Sequence, residues 1–414
     1  MSGRPGAAVD LGEQVLGPVV AEFCLRLWQL GAMLDDPEDA VLLFCARGGL
    51  RMRVAYEQFL AATGLQTQVR SEPLMVSRVV AMRSALARAV DREQEGLGAG
   101  TVRTLGHEFG RSTVADVARA VSGRDVDGDR GVWEVPVTGD AVWAMLRSPE
   151  GRAVSEALVE QARLFETHLD SLRGGRGRVV LVDTGLHGTT ALLLQEAYPE
   201  LSFSSALMAS YYPPTRSERP ARSFGLSLEA DGYAPWHRRS VLLRYWHLVE
   251  WLFEPELSSV QRFSRGDDGR VRSNLEVEGW ERHLEPQPGT LFGGVMTYLA
   301  GLGPGAGRRV VPEAAVAWVR LHRTLVLPAR VEAETLAVQD RSHDFGRTDS
   351  FGARPWRGAR AALRGAAMWR EGEIARSGTP LRVPLLLGIE AAYGVRKLRR
   401  LVTDRTGRGV RREL

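Results

Sequence analysis

Two short segments hold residues whose types and spacing can do chemistry. The first, Asp183-Thr184-Gly185-Leu186-His187-Gly188-Thr189-Thr190, follows the apolar run Arg178 to Val182. Its glycines let backbone N–H groups point into a common concavity, and a helix starting behind them adds partial positive charge, which together hold a phosphate. Thr189 and Thr190 offer hydroxyl donors, and Asp183 at the strand tip can accept hydrogen bonds from sugar hydroxyls. The competing reading is a tight turn at Gly185 and Gly188 with Asp183 capping the helix. The second segment, Ala46-Arg47-Gly48-Gly49, closes the apolar run Ala40 to Cys45 and sets Arg47, Arg51 and Arg53 beside another glycine cradle. Two anion sites on neighbouring strands fit a ligand with two phosphate groups. Neither loop has the Gly-x-x-x-x-Gly-Lys or Gly-x-Gly-x-x-Gly spacing, which disfavours ATP and NAD.

The elements that must position these loops are strands. Both runs are continuously apolar rather than alternating, the pattern of parallel strands buried on two faces, and helical patterns follow at Leu50 to Thr63 and Thr189 to Ala197. Between them the sequence predicts a short strand at Leu74 to Ser77 and helices at Val79 to Glu95 and Ser148 to Arg173. A further strand is expected at Ser202 to Tyr212. Beyond it helical patterns dominate, at Ser240 to Phe253, Pro312 to Arg323, Arg357 to Ile374 and Pro384 to Val402. The expected fold class is therefore α/β, with a parallel-sheet core over residues 1–215 and a mainly helical region with a basic tail over 216–414.

Of the 414 residues, 44% are hydrophobic and 25% charged, a globular balance that excludes a fibre or a disordered tail. The best candidate for a membrane span, Val383 to Val395, is short and carries Glu390, so no span is expected. Asp10 and Glu13 interrupt the N-terminus before a long apolar core forms, which argues against a secretory signal and for the cytoplasm. Cys24 and Cys45 are too few for a disulfide scaffold and read as buried thiols. The net charge of +4 is a property of the tail, because Arg396 to Leu414 holds eight basic and two acidic residues. A solvated C-terminus explains it better than nucleic-acid binding. Asp125-Val126-Asp127-Gly128-Asp129 looks like a phosphatase or calcium motif, but no strand precedes it and no Glu closes a calcium loop, so a surface turn is expected. The eight histidines show no zinc-hydrolase spacing.

The pair of loops resembles the phosphoribosyltransferase family, whose diphosphate loop follows one hydrophobic strand and whose longer loop runs from an apolar strand through acidic residues to a Thr-Gly-Thr cradle. The resemblance implies that ribose 5-phosphate sits at Gly185, Leu186, Gly188, Thr189 and Thr190, that Asp183 holds the ribose hydroxyls, and that diphosphate with Mg2+ lies near Ala46, Arg47, Gly48 and Gly49. Thr184 stands where the family carries a second acid, and the loop is one residue short. The segments Leu42 to Leu50, Leu74 to Ser84, Val179 to Thr190 and Val249 to Pro255 are also similar to the phosphoribosyltransferase-like modules of bacterial polysaccharide biosynthesis and of aminoglycoside ribosylation. Those modules imply transfer of 5-phosphoribose from phosphoribosyl diphosphate to a hydroxyl of a carbohydrate acceptor, with a separate phosphatase completing the ribosyl group. The acceptor would be a neamine-like aminoglycoside in antibiotic biosynthesis, or a glycan of the capsule or O-antigen type. The alternative is a non-catalytic sensor of phosphoribosyl diphosphate.

Such a transfer builds oxocarbenium character at C1, so the site must neutralise the leaving diphosphate. Arg47 and Arg78 are the candidate contacts, Arg78 because it follows a predicted strand on the same side. Magnesium takes most of its ligands from phosphate and water, so Asp183 is the one protein ligand suggested. An acceptor hydroxyl needs a base, for which Glu250 and Glu254, four apart on an otherwise apolar helix, are the leading residues and His187 the alternative. Either glutamate can instead be the ion-pair partner of Arg244 or Arg262, and His187 can be a phosphate donor. Glu254, Glu256, Asp344 and Asp349 are available to match ammonium groups, and Trp246, Trp251 and Trp356 to stack on sugar rings.

Overall fold

Apolar strands covered on both faces are what the two glycine loops require, and the computed structural model contains them. It describes residues 5–92, 95–126, 130–212, 222–337, 340–342, 350–352 and 369–410. Ala40–Cys45 (β1), Arg70–Leu74 (β2), Arg178–Asp183 (β3), Ser202–Tyr211 (β4) and Ser223–Ala230 (β5) form one sheet in the order β2-β1-β3-β4-β5, parallel throughout. Every residue of β1 is buried. Ala40, Leu42, Phe44, Val180 and Val182 face one layer of helices, and Val41, Leu43, Cys45, Val179 and Leu181 face the other. This is the alternation of side chains along a strand, hidden in the sequence because both faces are apolar.

The first layer holds Gly17–Ala32 (α1) and Gly48–Thr63 (α2), which contributes Met52, Tyr56 and Phe59. The second holds Arg78–Asp91 (α3), Arg152–Arg173 (α4) and Thr189–Ala197 (α5). Helices Ala99–Phe109, Val114–Ser122 and Gly139–Arg147 also pack there. The first layer is completed by the late chain, through His247–Phe253 (α6), Leu291–Ala300 (α7) and Gly307–Val326 (α8), which bring Phe253, Phe292, Val295, Trp318 and Leu321 onto the same core. A division after residue 215 would therefore part β5 from the strand it pairs with and open this core.

Among the described residues one helical stretch, Gly6–Ala32, is long and apolar enough to cross a membrane by length and composition, rather than the candidate Val383 to Val395. In this fold 72% of its most apolar window is buried inside the protein. Glu22, at its centre and fully buried, accepts hydrogen bonds from Arg239 Nη2 at 2.8 Å and Trp318 Nε1 at 2.8 Å and pairs with Arg26. The stretch is thereby tied into the core by a charge that has its partners.

A second buried ionic centre fastens the C-terminal helices Arg370–Arg376 (α9) and Arg382–Val410 (α10). Arg244 pairs with Glu371 and, at 2.6 Å, with Glu390, while its guanidinium lies 4.1 Å from the Tyr393 ring centroid and 5.0 Å from that of Tyr233. Tyr233 Oη donates to Glu390. Burial, reinforced by Glu390, pushes the Tyr233 phenol up, so it stays protonated and able to donate.

Several expectations need correction. The second strand lies at Arg70–Leu74, ahead of the expected Leu74 to Ser77. The expected helix from Ser240 is a 3-10 turn, Arg238–Leu243, followed by the short α6. The fifth strand and the helices between residues 99 and 147 had no counterpart in the sequence reading. Asp127, Asp129, Asp344, Asp349, Trp356 and the first part of the expected Arg357 to Ile374 helix lie outside the described residues. Cys24 and Cys45 are buried free thiols as expected. Burial pushes both thiols up, with the charge of Asp183 adding to the effect at Cys45.

Candidate functional site

β1 feeds α2 on one face of the sheet and β3 feeds α5 on the other, so the chain reverses its winding between these two adjacent strands. At such a switch point the loops beyond the carboxyl ends of the strands part, and ligands of open α/β sheets bind there. The two glycine segments singled out from the sequence are those loops.

They touch. A Cβ on Gly48 would lie 2.5 Å from Thr184 Cγ2, and one on Gly49 would lie 2.7 Å from the Val182 carbonyl oxygen. Only glycine lets the start of α2 sit this close to the end of β3. The peptide joining Ala46 and Arg47 is cis. Gly188, four residues beyond Thr184, has φ +61° and is packed against Ser223 and Ser205. Four residues span at most ~14 Å, which bounds how far Gly188 can lie from the Gly48–Thr184 contact. We expect Gly48→Ala to destabilise the protein by about 1–3 kcal/mol, the usual cost of overpacking. Adding Thr184→Ala should recover a large part of that loss in urea unfolding, and strictly additive effects would mean the loops do not meet.

Neither α2 nor α5 has a side-chain cap: the positions before them are Arg47 and Gly188, and neither side accepts a hydrogen bond from the first turn. Helix starts left uncapped keep donor N–H groups for an anion. Gly48 and Gly49 are themselves buried, so the reachable rim is made by Ala46, Gly185, Leu186, His187, Gly188 and Thr189, with Thr184 and Thr190 beneath. Asp183 is half-buried at the strand end, and its Oδ1 accepts the Thr184 N–H at 2.7 Å. The carboxylate therefore helps to order the start of the loop that follows it. The His187 ring stands edge-on to Tyr211 at 5.6 Å, and the Leu186 carbonyl accepts from Tyr211 N at 3.0 Å, anchoring the middle of the loop.

The arginines are more committed than their spacing implied. Arg47 is 9% exposed, pairs with Glu254 Oε2 at 3.5 Å and donates to the Leu257 carbonyl at 3.4 Å. Arg51 donates to the carbonyls of Glu254 and His283 and lies 5.1 Å from the Phe292 ring centroid. Burial lowers the Arg51 pKa, and the charge of Glu256 opposes that shift. Arg53 pairs with Glu57 one turn on along α2. The segment 254–257 thus lies over the first loop, joining residues some two hundred positions apart.

Glu254 is brought to the site, as the C-terminal flanking residue of α6. Glu250 turns to His247 at 3.4 Å. Arg244, an expected partner for these glutamates, binds Glu371 and Glu390 instead. Arg78 opens α3 just past β2 on the same sheet edge as the two loops, one third exposed, and pairs with Glu108 at 2.8 Å. Glu108 and the Leu257 carbonyl were not anticipated, because each meets its arginine through tertiary folding. Trp251 is exposed beside Glu250, whereas Trp246 is buried in the core. One cavity of about 670 Å³ lies beside Arg152 and Arg163, away from both loops, and another of about 640 Å³ beside Gln195 and Arg222 is lined by Gly188 but by no residue of the Ala46–Gly49 loop. Among the described residues no group of three or more His, Cys, Asp or Glu side chains is arranged to hold a metal. No protein-family model matches the chain, and a search of curated proteins returns no match.

Proposed function

We propose that this protein is a cytoplasmic phosphoribosyltransferase that moves 5-phosphoribose from phosphoribosyl diphosphate to a hydroxyl of a carbohydrate acceptor, an aminoglycoside of the neamine type or a glycan, and releases diphosphate. The observation that carries the reading is the contact, at the switch point of the sheet, between the uncapped glycine start of α2 and Thr184, which opens the loop leading to the uncapped start of α5. In this reading Gly185 to Thr190 cradle the 5-phosphate and Asp183 accepts from the ribose hydroxyls. The Ala46–Gly49 loop and Arg78 face the diphosphate. The C1–O bond to diphosphate breaks as the acceptor oxygen bonds to C1, and the hydroxyl proton passes to a nearby base. Because Arg47 engages Glu254, that role falls to Glu250 or His187. Trp251 offers a face for a sugar ring.

A single hard oxygen donor, Asp183, suits a magnesium ion that takes its other ligands from phosphate and water. Bound there, Mg2+ would offset charge on the leaving diphosphate. A separate phosphatase would then remove the 5-phosphate from the product. The test is to incubate the full chain with phosphoribosyl diphosphate, Mg2+ and neamine-like or glycan acceptors and to measure diphosphate release together with the mass of the acceptor. Acceptor gaining a phosphoribosyl group supports the reading, and absence of both donor binding and release rejects it.

The burial of Arg47 against Glu254 and the Leu257 carbonyl favours a second reading, a sensor that binds the donor without turnover. Saturable donor binding by calorimetry with no diphosphate released under any acceptor would select it.

A further inference from the structure

The C-terminal helix α10 has three distinct faces. Leu386, Ile389 and Tyr393 turn to the body of the protein, and Lys397 is fixed there by Asp231 at 2.5 Å. At 3.6 residues per turn, Val383, Leu387, Val395, Leu398 and Leu401 fall on another stripe about 120° wide. These five side chains are 41–55% exposed. Arg396, Arg399 and Arg400 are exposed as well, and Arg399 borders the apolar stripe. No acidic residue occurs between residues 391 and 403, and Glu390 is engaged by Arg244. From Leu398 to Leu401 every side chain is exposed, so the helix stands clear of the body where its leucines and arginines are densest.

We propose that this face of α10 docks on an anionic lipid surface, lying in the interface rather than crossing the bilayer. An exposed apolar stripe joined to a basic flank is the signature of an interfacial helix, in which leucines enter the acyl boundary and arginines reach the headgroups. Charge decides against the other occupants. Two copies laid stripe to stripe would find no opposite charge to set against Arg399, which borders the stripe, because no acidic residue occurs between residues 391 and 403. The repeat Ala391, Val395, Leu398, Val402 also covers only about two heptads, short of a stable coiled coil. A nucleic acid would use the arginines but leave five apolar side chains in water.

The experiment is flotation of the full chain with vesicles of phosphatidylcholine alone and of phosphatidylcholine mixed with phosphatidylglycerol, at low and high salt. The protein should float with the anionic vesicles, less as salt rises, and much less with the neutral ones. Leu398→Glu combined with Leu401→Glu should abolish flotation. Arg399→Gln combined with Arg400→Gln should weaken it roughly 30-fold, about a fivefold loss for each basic residue near an anionic surface. All four positions are exposed, so circular dichroism and the urea midpoint should match the parent. Equal binding to neutral vesicles, or binding that survives the leucine substitutions, would overturn the proposal. So would indifference to vesicles combined with dimerisation that those substitutions abolish, or with duplex DNA binding that the arginine substitutions abolish.

Discussion

Asp183→Asn is expected to lower phosphoribosyl transfer by about a hundred- to a thousand-fold, the loss usual for one preorganised electrostatic group, while leaving the fold in place. Asparagine keeps the side-chain oxygen that accepts the Thr184 N–H at 2.7 Å, so the loop retains its shape. What it loses is the negative charge opposite a ribose ring turning cationic. Asp183 is half-buried at a strand end rather than enclosed in the core, which makes the change tolerable for folding. Initial rates of diphosphate release and the thermal midpoint should be measured on the same preparation. Near-normal transfer in a folded variant would remove Asp183 from the reaction and, with it, the donor orientation proposed above.

The largest stability effect is expected at Arg244. Methionine there would leave Glu371, 3% exposed, with Arg370 at 3.7 Å as its remaining cation, and Glu390 with only Tyr233 and His322 beside it. Removing one partner of a buried ionic group typically costs about 3–5 kcal/mol, because the charges left behind remain desolvated. Urea unfolding of the full chain should register a loss of that size. Glu371→Gln and Glu390→Gln, added to Arg244→Met, should restore much of it, a non-additivity expected only if the three side chains form one unit. A variant that unfolds at the parent urea concentration would show that the guanidinium contributes nothing to holding α9 and α10.

How far the sequence discloses this molecule depends on where each element sits. β1, β3 and β4 were legible because inner parallel strands must be apolar on both faces, and Ala40–Cys45 and Arg178–Asp183 meet that demand almost without interruption. β2 and β5 are the sheet edges, where the demand lapses. Arg70, Glu72 and Pro73 are admissible in β2 because one side of it needs no ladder partner, and the same residues erase the strand signal. The helix expected from Ser240 broke into a 3-10 turn and α6, since the apolar residues that suggested one continuous period serve two short elements on the same core.

The candidate site divides in the same way. Its glycine loops are local features, read directly from Gly48, Gly49, Gly185 and Gly188. The partners of its charged residues are not local. Arg47 finds Glu254, Arg78 finds Glu108, and Arg51 finds the carbonyls of Glu254 and His283, all through tertiary folding that no spacing rule encodes.

The layer covering Phe44, Val180 and Val182 draws on residues as late as Trp369 and Ala375. During translation, the sheet strands up to β4 leave the ribosome well before that cover exists. At roughly 5–20 residues per second, part of the sheet face stays bare for on the order of ten seconds. The newborn chain thus carries bare apolar surface until its own later helices arrive to cover it.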